Sequence, residues 1–358
     1  MTDPVLETLL MPLVQGNIDL ADNARVLFLR ARHDGALKAL SSHDVVCEQS
    51  FAPDRDSLKT AGYQVEAEFG CQTSEDQASD AKSMDFDLVM MLPPRQKQEA
   101  RALMARAVSL VKNGGIVLAC TANTEGAKAH ESDLKNLAGL SGNLSKNKCR
   151  VYWTAVQKDA LNASLLDEWK LLDAPRPILE GAFVSRPGIF AWDRVDVASK
   201  LLAAHIPQTL AGRGADLGCG FGYLSRVVLE RCPKVIAMDL YEAEKRALDL
   251  ARENLQAFSH SKSLTGIWSD VTRGIEGPYD FIVSNPPFHQ TGKADRSDIG
   301  QAFIRSAARG LRTGGQLFMV ANRHLPYEDT LKDVFGVFDM IADEGGYKVL
   351  KAIKRKVV

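Results

Sequence analysis

The stretch of this sequence best equipped for chemistry is Asn285-Pro286-Pro287-Phe288. It follows an apolar run, Phe281-Ile282-Val283, that reads as a buried strand of a parallel sheet. Neither proline can donate to a sheet ladder, so the chain must leave the sheet at Asn285. The asparagine amide and the carbonyls after it then stand at a strand's carboxyl end, the edge where open α/β sheets bind ligands. An asparagine held by two prolines, with an aromatic ring next in line, is an odd choice for stability alone. Taken by itself, the stretch is equally well read as a Pro-Pro loop with a capping asparagine.

A second group of residues lies upstream. Asp216, Gly218, Gly220 and Gly222 form an Asp-x-Gly-x-Gly-x-Gly loop between a strand and a helix expected from about Tyr223 to Arg231. Glycines let the backbone turn tightly and approach a ligand with no β-carbon in the way. A dinucleotide site would call for G-x-G-x-x-G, with pyrophosphate at the helix N-terminus. Here the strand ends on Asp216, an acid suited to a cationic group such as the amino end of a methionine moiety. The next strand, Val235 to Asp239, is expected to finish on a second acid, placed to accept two ribose hydroxyls. A third is expected to end on Ser269-Asp270, a polar pair fit to reach an adenine edge. A glycine loop alone says little, but with Asp239 and Ser269-Asp270 at successive strand ends it describes a nucleoside site. Taken singly, Asp239 and Asp270 read equally as helix N-caps.

Strand-like and helix-like segments alternate through both halves, which argues for parallel α/β sheets. The halves also echo each other. Asp280 to Pro287 lines up with Asp87 to Pro94, Leu311 to Leu317 with Val111 to Val117, and Tyr347 to Leu350 with Cys149 to Tyr152. All three echoes keep their order at an offset of close to two hundred residues, which points to two copies of one domain. Pro175, Pro177 and Pro187 mark an irregular stretch, so the reading is a first domain over 1–160, a linker over 161–186 and a second domain over 187–358. The first copy carries one glycine after its first strand, Leu92 in the place of Asn285 and Arg95 in that of Phe288.

At 358 residues, 45% hydrophobic and 25% charged, the chain has the make-up of a globular protein with two cores. A net charge of -1 gives no global nucleic-acid signature. Arg95, Lys97, Arg101 and Arg106, and a tail with Lys348, Lys351, Lys354, Arg355 and Lys356, are either local RNA-facing edges or solvated helix charges. The amino terminus lacks a signal pattern, and no apolar run reaches the roughly 18 residues of a membrane span. Six scattered cysteines without a C-x-x-C pair, and seven histidines without ligand spacing, give no metal site and an expectation of reduced cytoplasmic thiols.

Asp216 to Gly222 resembles the first motif of class I S-adenosylmethionine-dependent methyltransferases, and Asn285 to Phe288 that of their amino-methylating branch. The chain as a whole resembles the bacterial small-subunit ribosomal RNA guanine-N2 methyltransferases. The motifs that carry this are Asn285-Pro286-Pro287-Phe288-His289, Val320-Ala321-Asn322 and Leu325-Pro326-Tyr327. Phe183-Val184-Ser185-Arg186 matches the family's contiguous Phe-Ser-Arg with an inserted valine. The likeness is close over roughly residues 180–355 and faint before that. It implies an α/β fold of two tandem doubly wound Rossmann-like methyltransferase domains, the first degenerate, and S-adenosylmethionine as cofactor. The implied partner is ribosomal RNA or the small ribosomal subunit, with no metal, no membrane and a monomeric chain. Asn285 and the Pro286 carbonyl would accept the two N–H groups of a guanine amine while Phe288 stacks on the base. Asp216, Gly218, Gly220, Gly222, Asp239, Ser269 and Asp270 would hold the cofactor. His289 reads as a proton acceptor or a structural imidazole, and Arg186 as a cofactor or RNA contact or a surface arginine. Large-subunit guanine-N2 methylation and protein glutamine N5-methylation share the Asn-Pro-Pro arrangement. A ribosome-assembly module with a vestigial site is disfavoured by the intact acids, and a dehydrogenase by the glycine spacing.

Overall fold

Each half of the chain builds a seven-stranded sheet in the computed structural model, which describes residues 3–69, 85–287 and 297–356. Two units result, one of Met1–Pro175 with Arg186–Gly188, the other of Arg176–Ser185 with Ile189–Val358.

The first unit carries β1 (Arg25–Leu29), β2 (Asp44–Glu48), β3 (Gln64–Glu66), β4 (Phe86–Met91), β5 (Val111–Ala122), β6 (Gly142–Lys146) and β7 (Cys149–Ala155), in the order β3-β2-β1-β4-β5-β7-β6. Helices α1 (Pro4–Val14) and α2 (Ala52–Thr60) cover one face through Leu6, Leu9 and Leu58. Helices α3 (Lys97–Leu110), α4 (Ala127–Ala138) and α5 (Ala163–Lys170) cover the other through Leu103, Leu134 and Trp169.

The second unit opens with a two-stranded ribbon, β8 (Arg176–Ile178) and β9 (Phe183–Ser185). Its sheet comprises β10 (Gly212–Leu217), β11 (Val235–Glu242), β12 (Ser263–Trp268), β13 (Tyr279–Ser284), β14 (Leu311–Asn322), β15 (Phe338–Glu344) and β16 (Tyr347–Ile353). Their order, β12-β11-β10-β13-β14-β16-β15, repeats that of the first unit. Helices α6 (Val197–His205), α7 (Tyr223–Arg231) and α8 (Lys245–Leu255) pack on one face, and α9 (Ser297–Gly310) and α10 (Glu328–Phe335) on the other. Covered on both sides, β4 and β13 can be apolar without alternation, which is why Leu88 to Met91 and Phe281 to Val283 are all buried.

The repeated grammar is structural duplication. Asp87 accepts the Arg25 backbone N–H at 2.7 Å, and Asp280 that of Arg213 at 2.7 Å. Gly114 donates to the Val156 carbonyl and Gly314 to that of Lys354, each at 2.7 Å. The second glycine of each pair is there for close approach: a β-carbon at Gly115 would lie 2.7 Å from Val111 Cγ2, and one at Gly315 2.9 Å from the Tyr279 carbonyl oxygen.

Two sequence expectations change. The stretch 161–186 is folded: α5 buries Trp169 in the first unit's core, and 176–185 belongs to the second unit. A short helix with one large buried residue leaves too little periodicity to read. Three of the nine basic residues named above are spent internally. Arg101 forks onto Asp133 at 2.8 and 3.0 Å and lies 4.9 Å over the Trp169 ring. Arg106 pairs with Glu48, and the buried Lys348 donates to the Leu325 carbonyl at 2.7 Å and pairs with Glu328. Arg95, Lys97, Arg355 and Lys356 remain exposed.

Candidate active site

In a doubly wound sheet the crevice opens where the strand order reverses, here between β10 and β13. Leu217 and Ser284 are register partners at the ends of those strands, and Ser284 Oγ donates to the Leu217 carbonyl at 2.8 Å. The glycine loop leaves β10 and the Asn-Pro-Pro loop leaves β13 side by side. A β-carbon on Gly218 would come 4.0 Å from the Asn285 main-chain oxygen.

The glycine loop is fixed from beneath. Gly218 and Cys219 donate to the Tyr241 carbonyl at 2.8 and 3.1 Å, and Gly220 to the Glu242 carboxylate at 2.8 Å. Gly218 and Gly220 adopt φ of 76° and 55°, a region that favours glycine, and the space above Gly220 is open. Asn254 on α8 bonds both to Val184 and to the Phe221 carbonyl at 2.8 Å, while the Phe183 and Phe221 rings meet edge-on at 5.4 Å. The Phe-Val-Ser segment is thus a strand clamped against the cofactor loop, and Val184 is the residue clamped. Arg186 is neither exposed nor in this crevice's unit. It pairs with Glu68 at 3.0 Å and Asp173 at 2.7 Å in the first unit.

Asp216 stands one residue before the end of β10, fully buried, with Oδ2 accepting from Ser225 Oγ at 2.6 Å. Burial pushes its carboxyl up to about 7, against the Ser225 hydrogen bond, with the nearby Glu242 adding to the rise.

Asp239 is misplaced by the sequence reading. Strand β11 continues to Glu242, so Asp239 lies mid-strand between Ala215 and Thr265. Its carboxylate accepts from Arg213 at 2.5 Å and from the Tyr279 hydroxyl at 2.7 Å inside the sheet. The acid at the strand end is Glu242, which accepts from the backbone of Gly220, Ala243 and Glu244 at 2.8 to 2.9 Å. Burial raises its carboxyl too, against the pull of those N–H groups. The apolar pair Leu240-Tyr241 was the available signal, since it prolongs the strand past Asp239.

Ser269 and Asp270 follow β12 directly. Asp270 caps the next turn, accepting the Thr272 N–H at 2.9 Å. Asn285 Nδ2 donates to Asp196 Oδ2 at 2.9 Å and to Ser199 Oγ at 2.7 Å, two residues at the start of α6 that the sequence reading passed over. Phe288 and His289 lie outside the described residues.

Asp216 Oδ1, Ser269 Oγ and Asn285 Oδ1 are buried without a hydrogen-bond partner among the described residues. Orphaned buried polar atoms are rare in folded proteins. These three stand at or just past the carboxyl ends of β10, β12 and β13. With the open backbone over Gly220, they fit a ligand with a cationic end, a nucleoside end and an amine-bearing neighbour.

The first unit serves as an internal control. Matching the registers Leu29–Met91 with Leu217–Ser284, and Phe28–Cys47 with Asp216–Leu240, sets Phe28 against Asp216, Arg30 against Gly218, Arg32 against Gly220, Gln49 against Glu242 and Leu92 against Asn285. Arg30 keeps the positive φ, 55°, and bonds Glu99 at 2.8 Å, while Arg32 reaches Asp3 at 3.3 Å. Charged side chains occupy the loop where the second unit offers bare backbone.

Among the described residues no helix is long and apolar enough to cross a membrane. The family described as methyltransferase small domain matches residues 180–351, and that described as methyltransferase small domain N-terminal matches 12–171. Proteins named ribosomal RNA small subunit methyltransferase C are similar over most of the chain. The Salmonella arizonae protein is 32% identical, covering 75% of this chain and 76% of its own length. The Escherichia coli O7:K1 protein is 33% identical over the same shares, 75% and 76%. Among solved structures, a T. thermophilus 16S rRNA N2 methyltransferase in complex with AdoMet and guanosine superposes with a TM-score of 0.76 at 25% identity, covering 99% of this chain and 92% of that one. With both halves matched by the paired small-methyltransferase families, and relatives above 30% identity over 75% of the chain, the chain belongs to the ribosomal RNA small subunit methyltransferase C family.

Proposed function

We propose that this protein methylates the exocyclic N2 amine of a guanine in small-subunit ribosomal RNA, with S-adenosylmethionine as methyl donor. The observation that carries the reading is the Asn285 carboxamide, anchored through its nitrogen, with its buried oxygen unpartnered among the described residues beside the glycine loop. The names of the relatives and the guanosine in the superposed structure support the same substrate. They favour it over the large-subunit and glutamine readings that the sequence left open.

A guanine amine is a weak nucleophile because its lone pair is delocalised into the ring. Asn285 Oδ1 and the Pro286 carbonyl accept its two N–H groups, hold the nitrogen pyramidal and aim the lone pair. The prolines keep both acceptors in place and add no competing donor. S-adenosylmethionine would supply a methyl group on a sulfonium that departs as a neutral thioether, and one proton of the methylated amine leaves to solvent, so the chain provides orientation more than acid-base chemistry. Asp216 would hold its amino end, Glu242 its ribose, and Ser269 with Asp270 its base. A guanine in folded RNA must be exposed or flipped to enter. We take the chain to act as a monomer on cytoplasmic small subunits, without a metal.

Labelled S-adenosylmethionine incubated separately with small subunits, large subunits, free ribosomal RNA and a release-factor preparation tests this. Label is expected on guanine N2 of small-subunit RNA. Label confined to large-subunit RNA or to protein would replace the reading.

Proton linkage gives a second test. In the ligand-free protein the Asp216 carboxyl ionises at about 7. Its ordinary value is near 3.9, so the neutral form is favoured by folding. The stability it contributes is present below roughly pH 4 and is lost as pH rises through about 7. A cationic ligand favours the carboxylate, so binding near pH 6.5 is expected to release protons and to tighten as pH rises. Calorimetry in buffers of different ionisation enthalpy should show this release, with one site per chain. The release should vanish in Asp216→Asn. Two sites per chain would show that the first unit also binds cofactor.

A further inference from the structure

The Asn285 amide can serve an amine only with its oxygen turned outward, and two side chains of another element decide which way it turns. Asp196 is the N-cap of α6, its Oδ2 accepting the Ser199 N–H at 2.9 Å. The same Oδ2 accepts Asn285 Nδ2 at 2.9 Å, and Ser199 Oγ lies 2.7 Å from that nitrogen. A carboxylate oxygen only accepts, so a flipped amide would set two acceptors face to face with no proton between them. The flip would also present an NH2 group to the incoming amine, donor against donor. We propose that Asp196, assisted by Ser199, is a positioning residue for methyl transfer, locking the Asn285 carboxamide in its acceptor orientation. This rests on the reading of Asn285 as the amine acceptor.

Helix capping alone does not account for the arrangement. In the first unit Asp3 caps α1 through the N–H groups of Val5 and Leu6. That aspartate pairs with Arg32, and the position of Asn285 is taken by Leu92, which has no amide to orient. Only the second unit adds an amide to the cap.

Capping and positioning can be separated by substitution. Serine is among the best N-caps, so Asp196→Ser keeps the start of α6, but its hydroxyl is too short to reach Asn285. In Asp196→Asn a single oxygen can still accept from both Ser199 and Asn285. With full-length protein and small subunits as substrate, Asp196→Ser is expected to lower kcat on the order of 10- to 100-fold with the KM for S-adenosylmethionine held within about 2-fold. Asp196→Asn should restore most of the lost turnover, and both variants should melt close to wild type. In an Asn285→Ala background Asp196→Ser should cost nothing more, because its effect runs through that amide. An impaired Asn285→Ala beside an unimpaired Asp196→Ser would overturn this proposal alone. So would equal losses from Asp196→Ser with and without Asn285. An Asn285→Ala enzyme turning over at the wild-type rate would overturn the acceptor reading and this proposal with it.

Discussion

Asn285→Ala is expected to lower kcat by roughly two orders of magnitude or more, with S-adenosylmethionine affinity nearly unchanged. The loop backbone does not depend on the lost side chain. Ser284 ties the end of β13 to Leu217 at 2.8 Å, and Pro286 is buried with its torsion fixed by its own ring. What disappears is one of the two acceptors proposed to draw the amine out of conjugation. Removing a preorganised hydrogen-bonding group from a reacting centre costs about 2.7–4 kcal/mol, and each 1.36 kcal/mol is tenfold in rate. The proposed cofactor contacts lie on or just past β10, β11 and β12, so calorimetric affinity should stay within a few-fold of wild type. Asn285→Asp separates acceptor capacity from orientation. It retains an oxygen but sets a carboxylate against Asp196 Oδ2, where the amide nitrogen now sits at 2.9 Å. The like charges repel, and this variant should be impaired about as severely as alanine. Single-turnover kinetics with small subunits measure both; a wild-type single-turnover rate in Asn285→Ala would remove the asparagine from the mechanism.

What was legible in the sequence is what local backbone chemistry dictates. Two prolines after an apolar strand, glycines between a strand and a helix, and Gly-Gly pairs at matching places in both halves each constrain their own few residues. They gave the sheet edges, the duplication and the position of Asn285. The side-chain partners were not legible, because they come from elsewhere in the chain. Asp196 and Ser199 lie almost ninety residues before the asparagine they hold. Ser225, which holds Asp216, lies on the following helix. Arg101 and Arg106 looked like a basic edge because Asp133 and Glu48, their partners, sit on other elements. The mistaken strand end is more instructive. Asp239 and Glu242 are both carboxylates near the end of one strand, and the choice between them turns on where the strand stops. Arg213 and Tyr279 satisfy Asp239 from neighbouring strands, so the strand runs on through it.

Exchange of the two acids is therefore the sharpest test of the cofactor site. Glu242→Gln is expected to weaken S-adenosylmethionine binding by about 100-fold. The carboxylate holds the Gly220, Ala243 and Glu244 N–H groups and keeps one lone pair on Oε2 for a ribose hydroxyl in the proposed complex. Hydrogen bonds to a charged group are worth about 1.5–3 kcal/mol each, so loss of one or two reaches this range. The first unit shows the form an amide takes in that place: Gln49 donates to the Ala31 carbonyl at 2.6 Å and accepts the Phe51 N–H at 2.9 Å, closing the loop on itself. In Glu242→Gln the Oε1 can keep the Ala243 and Glu244 N–H groups, whereas the Nε2 would face the Gly220 N–H, so a modest loss of fold stability is expected beside the loss of binding. Asp239→Asn should do the reverse. It takes the charge from a buried carboxylate whose partner Arg213 is 43% exposed, so solvent screens the pair and the cost is on the order of 1–2 kcal/mol, below that of a fully buried pair. The second unit should melt at a clearly lower temperature while the folded fraction binds cofactor as wild type does. Thermal melts and calorimetry on the two variants decide it. A Glu242→Gln protein with wild-type affinity, beside a stable Asp239→Asn protein that has lost the cofactor, would return the ribose to Asp239.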